Sequence, residues 1–237
     1  MSNNYFEFKQ FTVSQIYSAM KVGTDGVLLG SWVNAENAKS ILDIGTGTGL
    51  LSLMMAQKSS ATIDTIEIDE DACKDASFNF VHSPWKNRLH LIQSDFLEFQ
   101  KQAEKSYDLI ISNPPFFKSS LHSPNSKKTI ARHNNSLPHE KLIDGVVKLL
   151  HETGYFYVVL PSDIAKEFIV MARLKGLHPK QIAQVFSKNN DLKSVRSLIS
   201  FTKNDCKVFE TRIDIYDQNL EYSLDYKNLT RDFYLNF

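Results

Sequence analysis

The chain has 237 residues, 42% of them apolar and 23% charged, which suits a sizeable core in one domain. Twenty-seven basic residues balance 27 acidic ones, so global charge does not argue for a nucleic-acid partner; only a local basic patch could. The start, MSNNYFEFKQF, lacks the basic-then-apolar order of a signal peptide, and no stretch reaches the length of a membrane span. Cys73 and Cys206 are far apart and form no metal or redox spacing. Both read as buried thiols of a reducing compartment, so a cytoplasmic protein without a membrane partner is expected.

Residues 1–39 read as an N-terminal extension, with a helix starting near Thr24 or Asp25. From residue 40 to 237 strands and helices alternate. SILDI (Ser40 to Ile44) is a strand running into glycines, and LLSLMMAQ (Leu50 to Gln57) has helical spacing. TIDTIEI (Thr62 to Ile68) is a strand, and Asp69 caps a helix through about Val81. Arg88 to Asp95 and Tyr107 to Ser112 are further strands. Pro138 lies in the first turn of a helix, with Gly154 past its end. Tyr155 to Leu160 is a fifth strand, followed by the helix SDIAKEFIVMARLKGL. From about residue 178 the chain is strand-like, and RSLISF and TRIDIY read as a pair that completes the sheet in antiparallel fashion. The pattern predicts an α/β fold, a mostly parallel sheet with helices on both faces. Ligands then sit at the carboxyl ends of the strands. The longest irregular stretch, Phe117 to Leu137, is long enough to be functional or disordered.

In LDIGTGTGLLSL, Gly45, Gly47 and Gly49 join the first strand to the first helix. Glycines there permit a tight turn and a close approach of backbone to ligand at a helix N-terminus. The dinucleotide fingerprint needs a glycine where Leu50 stands, so a nicotinamide cofactor fits poorly. Asp43 precedes the loop, and Glu67 ends the next strand about twenty residues on, where a carboxylate can accept both hydroxyls of a ribose. This arrangement resembles the class I S-adenosylmethionine-dependent methyltransferases. The resemblance implies a Rossmann-like sheet of seven strands, mostly parallel with an antiparallel C-terminal strand. It implies S-adenosylmethionine as the cofactor, S-adenosylhomocysteine as the product and no metal. It also puts Glu67 and Ile68 at the cofactor, Asp95 on the adenine amino group, and Phe96 on the adenine ring. For Asp69, Glu70 and Asp71, a helix start is the reading.

The strand DLIIS runs into Asn113-Pro114-Pro115-Phe116. This resembles the motif of methyltransferases that modify planar amino nitrogens. An exocyclic amine on adenine is a poor nucleophile, because its lone pair is delocalised into the ring. Acceptors aimed at its N–H bonds stabilise the positive charge that develops on transfer. Asn113 offers its side-chain oxygen and Pro114 its carbonyl, held in place because consecutive prolines fix φ. Pro115 and Phe116 would line the substrate position, with Phe116 stacking on a splayed base. Phe117 reads as packing.

The motif also occurs in enzymes of ribosomal guanine and of release-factor glutamine. Phe8 to Trp32, Ser83 to Leu89, IISNPPFF, Ala131 to Leu142 and the closing YSLDYKNLTRDFYLNF are similar, segment by segment, to bacterial tRNA1(Val) adenine-N6 methyltransferases. That resemblance implies transfer to the adenosine just 3′ of the anticodon, and a valine tRNA, gripped at its anticodon loop, as partner of a monomeric enzyme. A release-factor glutamine N5-methyltransferase and a ribosomal guanine N2-methyltransferase are the alternatives. Lys21, Thr24 and Asp25 would border the methionine end of the cofactor, unless Thr24 and Asp25 only cap a helix. Arg132 and His133 would place the target nucleotide, unless they are solvated loop charges.

Lys118, Lys127, Lys128 and Arg132 follow the motif without an intervening acid. Lys180, Lys188, Lys193, Arg196 and Lys203 form a second basic run. Gathered on the loop side of the sheet, these would bind phosphates while acids occupy the opposite face.

Overall fold

The structure is a computed structural model; residues 3–115 and 137–237 are described below. The elements in chain order are β1 (Tyr5–Glu7), β2 (Thr12–Ser14), α1 (Thr24–Trp32), β3 (Ser40–Ile44), α2 (Leu50–Lys58), β4 (Thr62–Glu67) and α3 (Glu70–Val81). A 3-10 turn (Lys86–Arg88) leads to β5 (Leu89–Gln93), α4 (Phe96–Gln102) and β6 (Tyr107–Ser112). Then follow α5 (His139–Leu149), β7 (Leu150–Pro161), α6 (Ser162–Leu174), β8 (His178–Lys188), β9 (Arg196–Thr202), β10 (Phe209–Tyr216) and α7 (Leu224–Thr230).

Eight strands form one sheet in the order β10-β8-β9-β7-β6-β3-β4-β5. Strands β3 to β7 are parallel; β9 runs antiparallel between β7 and β8. The β10 strand adds in parallel to β8. The Rossmann-like expectation of a mostly parallel sheet with helices around it holds, with one strand more than seven. RSLISF is antiparallel as expected, but its partners are β7 and β8, not TRIDIY. Strand order depends on which edges meet, and hydrophobic pattern along a strand carries no such information. The central strands are apolar on both faces: Ile41, Leu109 and Val159 lie in one buried cluster, and Leu42, Ile110 and Val158 in the other. That is the pattern of a sheet covered on both sides.

Three local expectations change. Pro138 is the N-cap of α5, just before its first turn. Gly154 lies inside β7, which begins at Leu150 directly after the helix. Helix α4 and the β1–β2 hairpin were not foreseen; both are shorter than the windows over which periodicity is legible. Cys73 is buried, whereas Cys206 is only half-buried. Among the described residues no helix is long and apolar enough to cross a membrane.

The two ends of the chain meet. The Lys9 N–H donates to the Phe233 carbonyl at 2.8 Å, and the Phe8 and Tyr234 rings stack with centroids 6.0 Å apart. Helix α1 lies tightly on α2: a β-carbon at Gly30 would come within 2.4 Å of Met54 Sδ, and one at Gly26 within 3.0 Å of Leu50 Cδ2. The Lys58 ammonium donates to the carbonyls of Gly30, Ser31 and Val33, capping the end of α1. Close packing at one end and a cap at the other fix α1, whose first turn reaches the carboxyl ends of the strands.

Candidate active site

The site is built where β3, β4, β5 and β6 end. Gly47 and Gly49 have φ of 58° and 84°, a region L-residues with side chains rarely adopt. Above Gly45 and Gly47 a β-carbon would meet nothing within 4 Å, so the loop faces open space. Gly49 differs: a β-carbon there would lie 2.4 Å from the buried Phe80 ring. Gly49 is also the N-cap of α2, whose first N–H groups turn toward the loop.

Asp43 sits beneath this loop and is fully buried. Its Oδ2 accepts from the hydroxyls of Thr46 and Ser52, both at 2.6 Å. Its Oδ1 has no protein partner. Burial pushes its pKa up to about 6, against the lowering effect of the two hydroxyls. Asp43 therefore braces the strand, loop and helix from below and keeps one buried acceptor to spare.

Glu67 closes the other wall. Its Oε2 accepts from the Gly47 N–H at 2.8 Å. Its Oε1 accepts from the N–H groups of Ile68 and Asp69 at 2.8 and 2.9 Å. Three backbone donors hold the carboxylate at the rim and leave one of its roughly four lone-pair sites, on Oε2, for a hydroxyl donor. Ile68 beside it is 45% exposed, an apolar surface at the cleft. The Asp69 side chain accepts from the Ala72 N–H at 2.8 Å, the expected cap. Burial, and then the carboxylates of Glu67, Asp69 and Glu70, push the Cys73 thiol up to about 11, so it stays protonated and is no nucleophile at neutral pH.

Asp95 caps α4 through a 2.6 Å bond from the Leu97 N–H to Oδ1. Phe96, next to Asp95, is 6% exposed, and its ring packs on α5, where a β-carbon at Gly145 would lie 2.4 Å away. As the first residue of α4, its side chain is carried into the core cluster.

Asn113 and Pro114 follow β6, whose last residue is tied to β3 by the Ser112 hydroxyl donating to the Ile44 carbonyl at 2.8 Å. Asn113 is half-buried, Pro114 buried and Pro115 exposed. A β-carbon at Gly26 would lie 3.7 Å from Asn113 Nδ2, so the first turn of α1 adjoins this side chain. The spacing of sequence alone gave no sign that α1 reaches Asn113. Gly23 is the N-cap of α1 and no side chain caps it, so Thr24 and Asp25 are not caps. Asp25 instead accepts from Arg196 Nε at 2.7 Å, which anchors α1 to the start of β9. Lys21 donates to the Gln15 carbonyl.

The second basic run is divided. Lys188, Lys193 and Arg196 lie at the ligand end of the sheet, because β8 finishes and β9 begins there. Lys180 and Lys203 lie at the opposite end, paired with the Tyr155 hydroxyl at 2.7 Å and with Glu152 at 2.7 Å. Antiparallel β9 carries its two ends to opposite poles, which no charge count can show. Phe116, Phe117, Lys118, Lys127, Lys128, Arg132 and His133, given packing or substrate roles from sequence, lie outside the described residues. No cluster of three or more His, Cys, Asp or Glu that could hold a metal occurs among the described residues.

A glycine loop over open space, a strand-end carboxylate and Asn-Pro-Pro after the fourth parallel strand define an S-adenosylmethionine-dependent class I methyltransferase. A solved structure described as a predicted O-methyltransferase from Agrobacterium tumefaciens superposes with a TM-score of 0.66 at 17% identity, covering 88% of this chain and 96% of that one. The model of the methyltransferase small domain matches residues 7–188. The chain is 46% identical over 238 residues to a tRNA1(Val) (adenine(37)-N6)-methyltransferase of Bacteroides fragilis, covering 99% of each. It is 38% identical over 234 residues to one of Histophilus somni, covering 98% of each. The chain belongs to this family of tRNA1(Val) (adenine(37)-N6)-methyltransferases, within the methyltransferase small-domain group.

Proposed function

We propose that this chain methylates the 6-amino group of adenosine 37 in a valine tRNA, with S-adenosylmethionine as donor, as the names of its relatives describe. The observation that carries the reading is the adjacency of Asn113 to the first turn of α1 at the mouth of the glycine-loop cleft. The bound donor supplies a methyl group activated on a sulfonium. Glu67 would accept from the ribose, Ile68 would border the adenine, and Asp95 would accept from the adenine amino group. The open backbone over Gly45 and Gly47 lets the methionine portion approach, bordered by Lys21, Thr24 and Asp25. The spare Asp43 Oδ1 fits a donor from the cofactor's amino-acid end, directly or through water.

On the substrate side, the Asn113 side-chain oxygen and the Pro114 carbonyl accept the two N–H bonds of the target amine. They draw the nitrogen toward a pyramidal shape and stabilise its developing charge. Transfer is direct and in-line, and positioning accounts for much of the acceleration. No strong base is needed, because the ammonium-like product loses its proton readily. Pro115 and the residues after it, Phe116, Lys118, Lys127, Lys128, Arg132 and His133, complete the nucleotide site in this reading. Lys188 and Lys193 add phosphate contacts at the ligand end. The chain acts in the cytoplasm as a monomer, and residues 1–39 serve as an extension of the catalytic domain. The charged Glu210, Arg212 and Asp214 on edge strand β10 support the monomer by opposing edge-to-edge pairing.

The relatives' names do not favour the release-factor or ribosomal-RNA alternatives. Mass spectrometry of nucleosides from individual tRNAs, with and without the gene, tests the reading. N6-methyladenosine at position 37 should vanish from valine tRNA in the deletion. Its persistence there, or label from S-adenosylmethionine entering only release factors in vitro, would refute it.

A further inference from the structure

Residues 14–22 form a strap joining β2 to α1 along one side of the cleft. At one end, Asn79 Nδ2 donates to the carbonyls of Ser14 and of Thr48 in the glycine loop, both at 2.8 Å. At the other end the chain enters α1, whose first turn adjoins Asn113. Buried side chains fix the strap's backbone. Asp75 accepts from the N–H groups of Ile16 at 3.1 Å, Tyr17 at 3.0 Å and Ser18 at 2.7 Å. Asn79 Oδ1 accepts from the Ser14 N–H at 2.7 Å, and Gln15 Oε1 from the Val22 N–H at 2.8 Å.

Gln15 and Ser18 turn inward, while three large apolar side chains on this fixed backbone face water. Ile16 is 55% exposed, Tyr17 59% and Met20 67%. Burying the Asp75 carboxylate has a desolvation cost, met here by three charge-assisted bonds. Ser18 is buried, but Ile16 and Tyr17, held by the other two bonds, stay outside the core. Between Glu7 and Asp25 the chain carries Lys9 and Lys21 and no carboxylate, so the strap does not repel a polyanion. An exposed aromatic on a fixed backbone, its one adjoining carboxylate, Asp75, buried and engaged by three N–H groups, matches unpaired RNA bases, which stack on any planar face.

We propose that Ile16, Tyr17 and Met20 are a stacking platform for the unpaired nucleotides flanking the target adenosine, with Tyr17 as the stacking face. The fixed backbone means that little backbone freedom is lost on binding. The inference rests on the RNA-methylating reading and extends it to the substrate's neighbours. It makes Tyr17 a positioning residue; the amine is still held by Asn113 and Pro114.

The test uses the full-length protein, an unmodified valine tRNA transcript and steady-state methyl transfer, with cofactor Kd from calorimetry. Tyr17→Ala should raise KM for tRNA about tenfold, the scale of losing one base stack. Its kcat and cofactor Kd should stay within about twofold, since the side chain touches neither. Tyr17→Phe should keep the wild-type KM, and the Tyr17→Ala, Met20→Ala double variant should be worse than either alone. Unchanged KM in the double variant overturns the platform, as does a loss of cofactor affinity that accounts for the whole effect. Wild-type protein that methylates no tRNA sinks the underlying reading as well; active wild type with unaffected variants sinks the platform alone.

Discussion

Glu67 and Gly47 are joined across the cleft by a 2.8 Å hydrogen bond from the Gly47 N–H to Oε2. The bond locks the end of β4 to the glycine loop after β3, so the carboxylate is oriented before any ligand arrives. Pre-orientation lowers the entropy lost on binding. In the proposed binding mode, replacing Glu67 with alanine removes the acceptor for the ribose hydroxyls. Kd for S-adenosylmethionine should rise roughly 10- to 100-fold, the size expected for hydrogen bonds to a charged group. Calorimetry checks this; a Kd within twofold of wild type would remove Glu67 from the cofactor site.

Asn113→Ala should leave cofactor Kd nearly unchanged and lower kcat by about a hundred- to a thousandfold, as for loss of one preorganised polar contact to the reacting group. Single-turnover transfer to tRNA reads the chemical step. Rates close to wild type would mean that the amine is held by other groups.

The glycines separate stability from binding. Gly49→Ala combines a φ of 84° with a contact 2.4 Å from Phe80, and should cost about 2–4 kcal/mol of stability. Gly47→Ala has a φ of 58° and open space, and should cost only about 1 kcal/mol. Its β-carbon would occupy the side from which a ligand approaches, so cofactor affinity should fall more than stability does. Denaturant melts and calorimetry on both variants give the comparison, and the reverse order would contradict it.

Asp43 should make stability depend on pH. Its folded pKa is raised to about 6 from 3.8, so between those values the folded state binds the extra proton. Stability is therefore lost as pH rises from about 4 to 6 and stays lower above that, by about 3 kcal/mol for a shift of this size. Asp43→Asn is uncharged throughout. Relative to wild type, the variant should gain stability as pH rises from 4 to 7. A constant difference between the two proteins across that range would show that Asp43 does not titrate there.

The class of reaction was legible in sequence because its carriers are local. Gly45 to Gly49 must follow one strand, and Asn113-Pro114-Pro115 must end another, so order along the chain is enough. Asp69 as a cap, and Thr24 as the start of α1, were readable for the same reason. The packing of Phe96 on α5 was not legible, because it depends on a helix that comes more than forty residues later. The split of the basic run between the two ends of the sheet likewise follows from β9 running against its neighbours.

By itself, the sequence determined the alternation that makes a mostly parallel sheet, the glycine loop, the acids at successive strand ends and the Asn-Pro-Pro tripeptide after the fourth strand. These depend on backbone preference and burial within single elements. Only the tertiary structure decided that β9 lies between β7 and β8, that Arg196 holds Asp25, and that α1 brings its first turn to Asn113. It alone showed Asp75 fixing the backbone of Ile16, Tyr17 and Ser18 in the strap before α1. The reason is physical: hydrogen bonds to side chains 57 to 171 residues away depend on which elements pack together, and packing is a property of the whole chain.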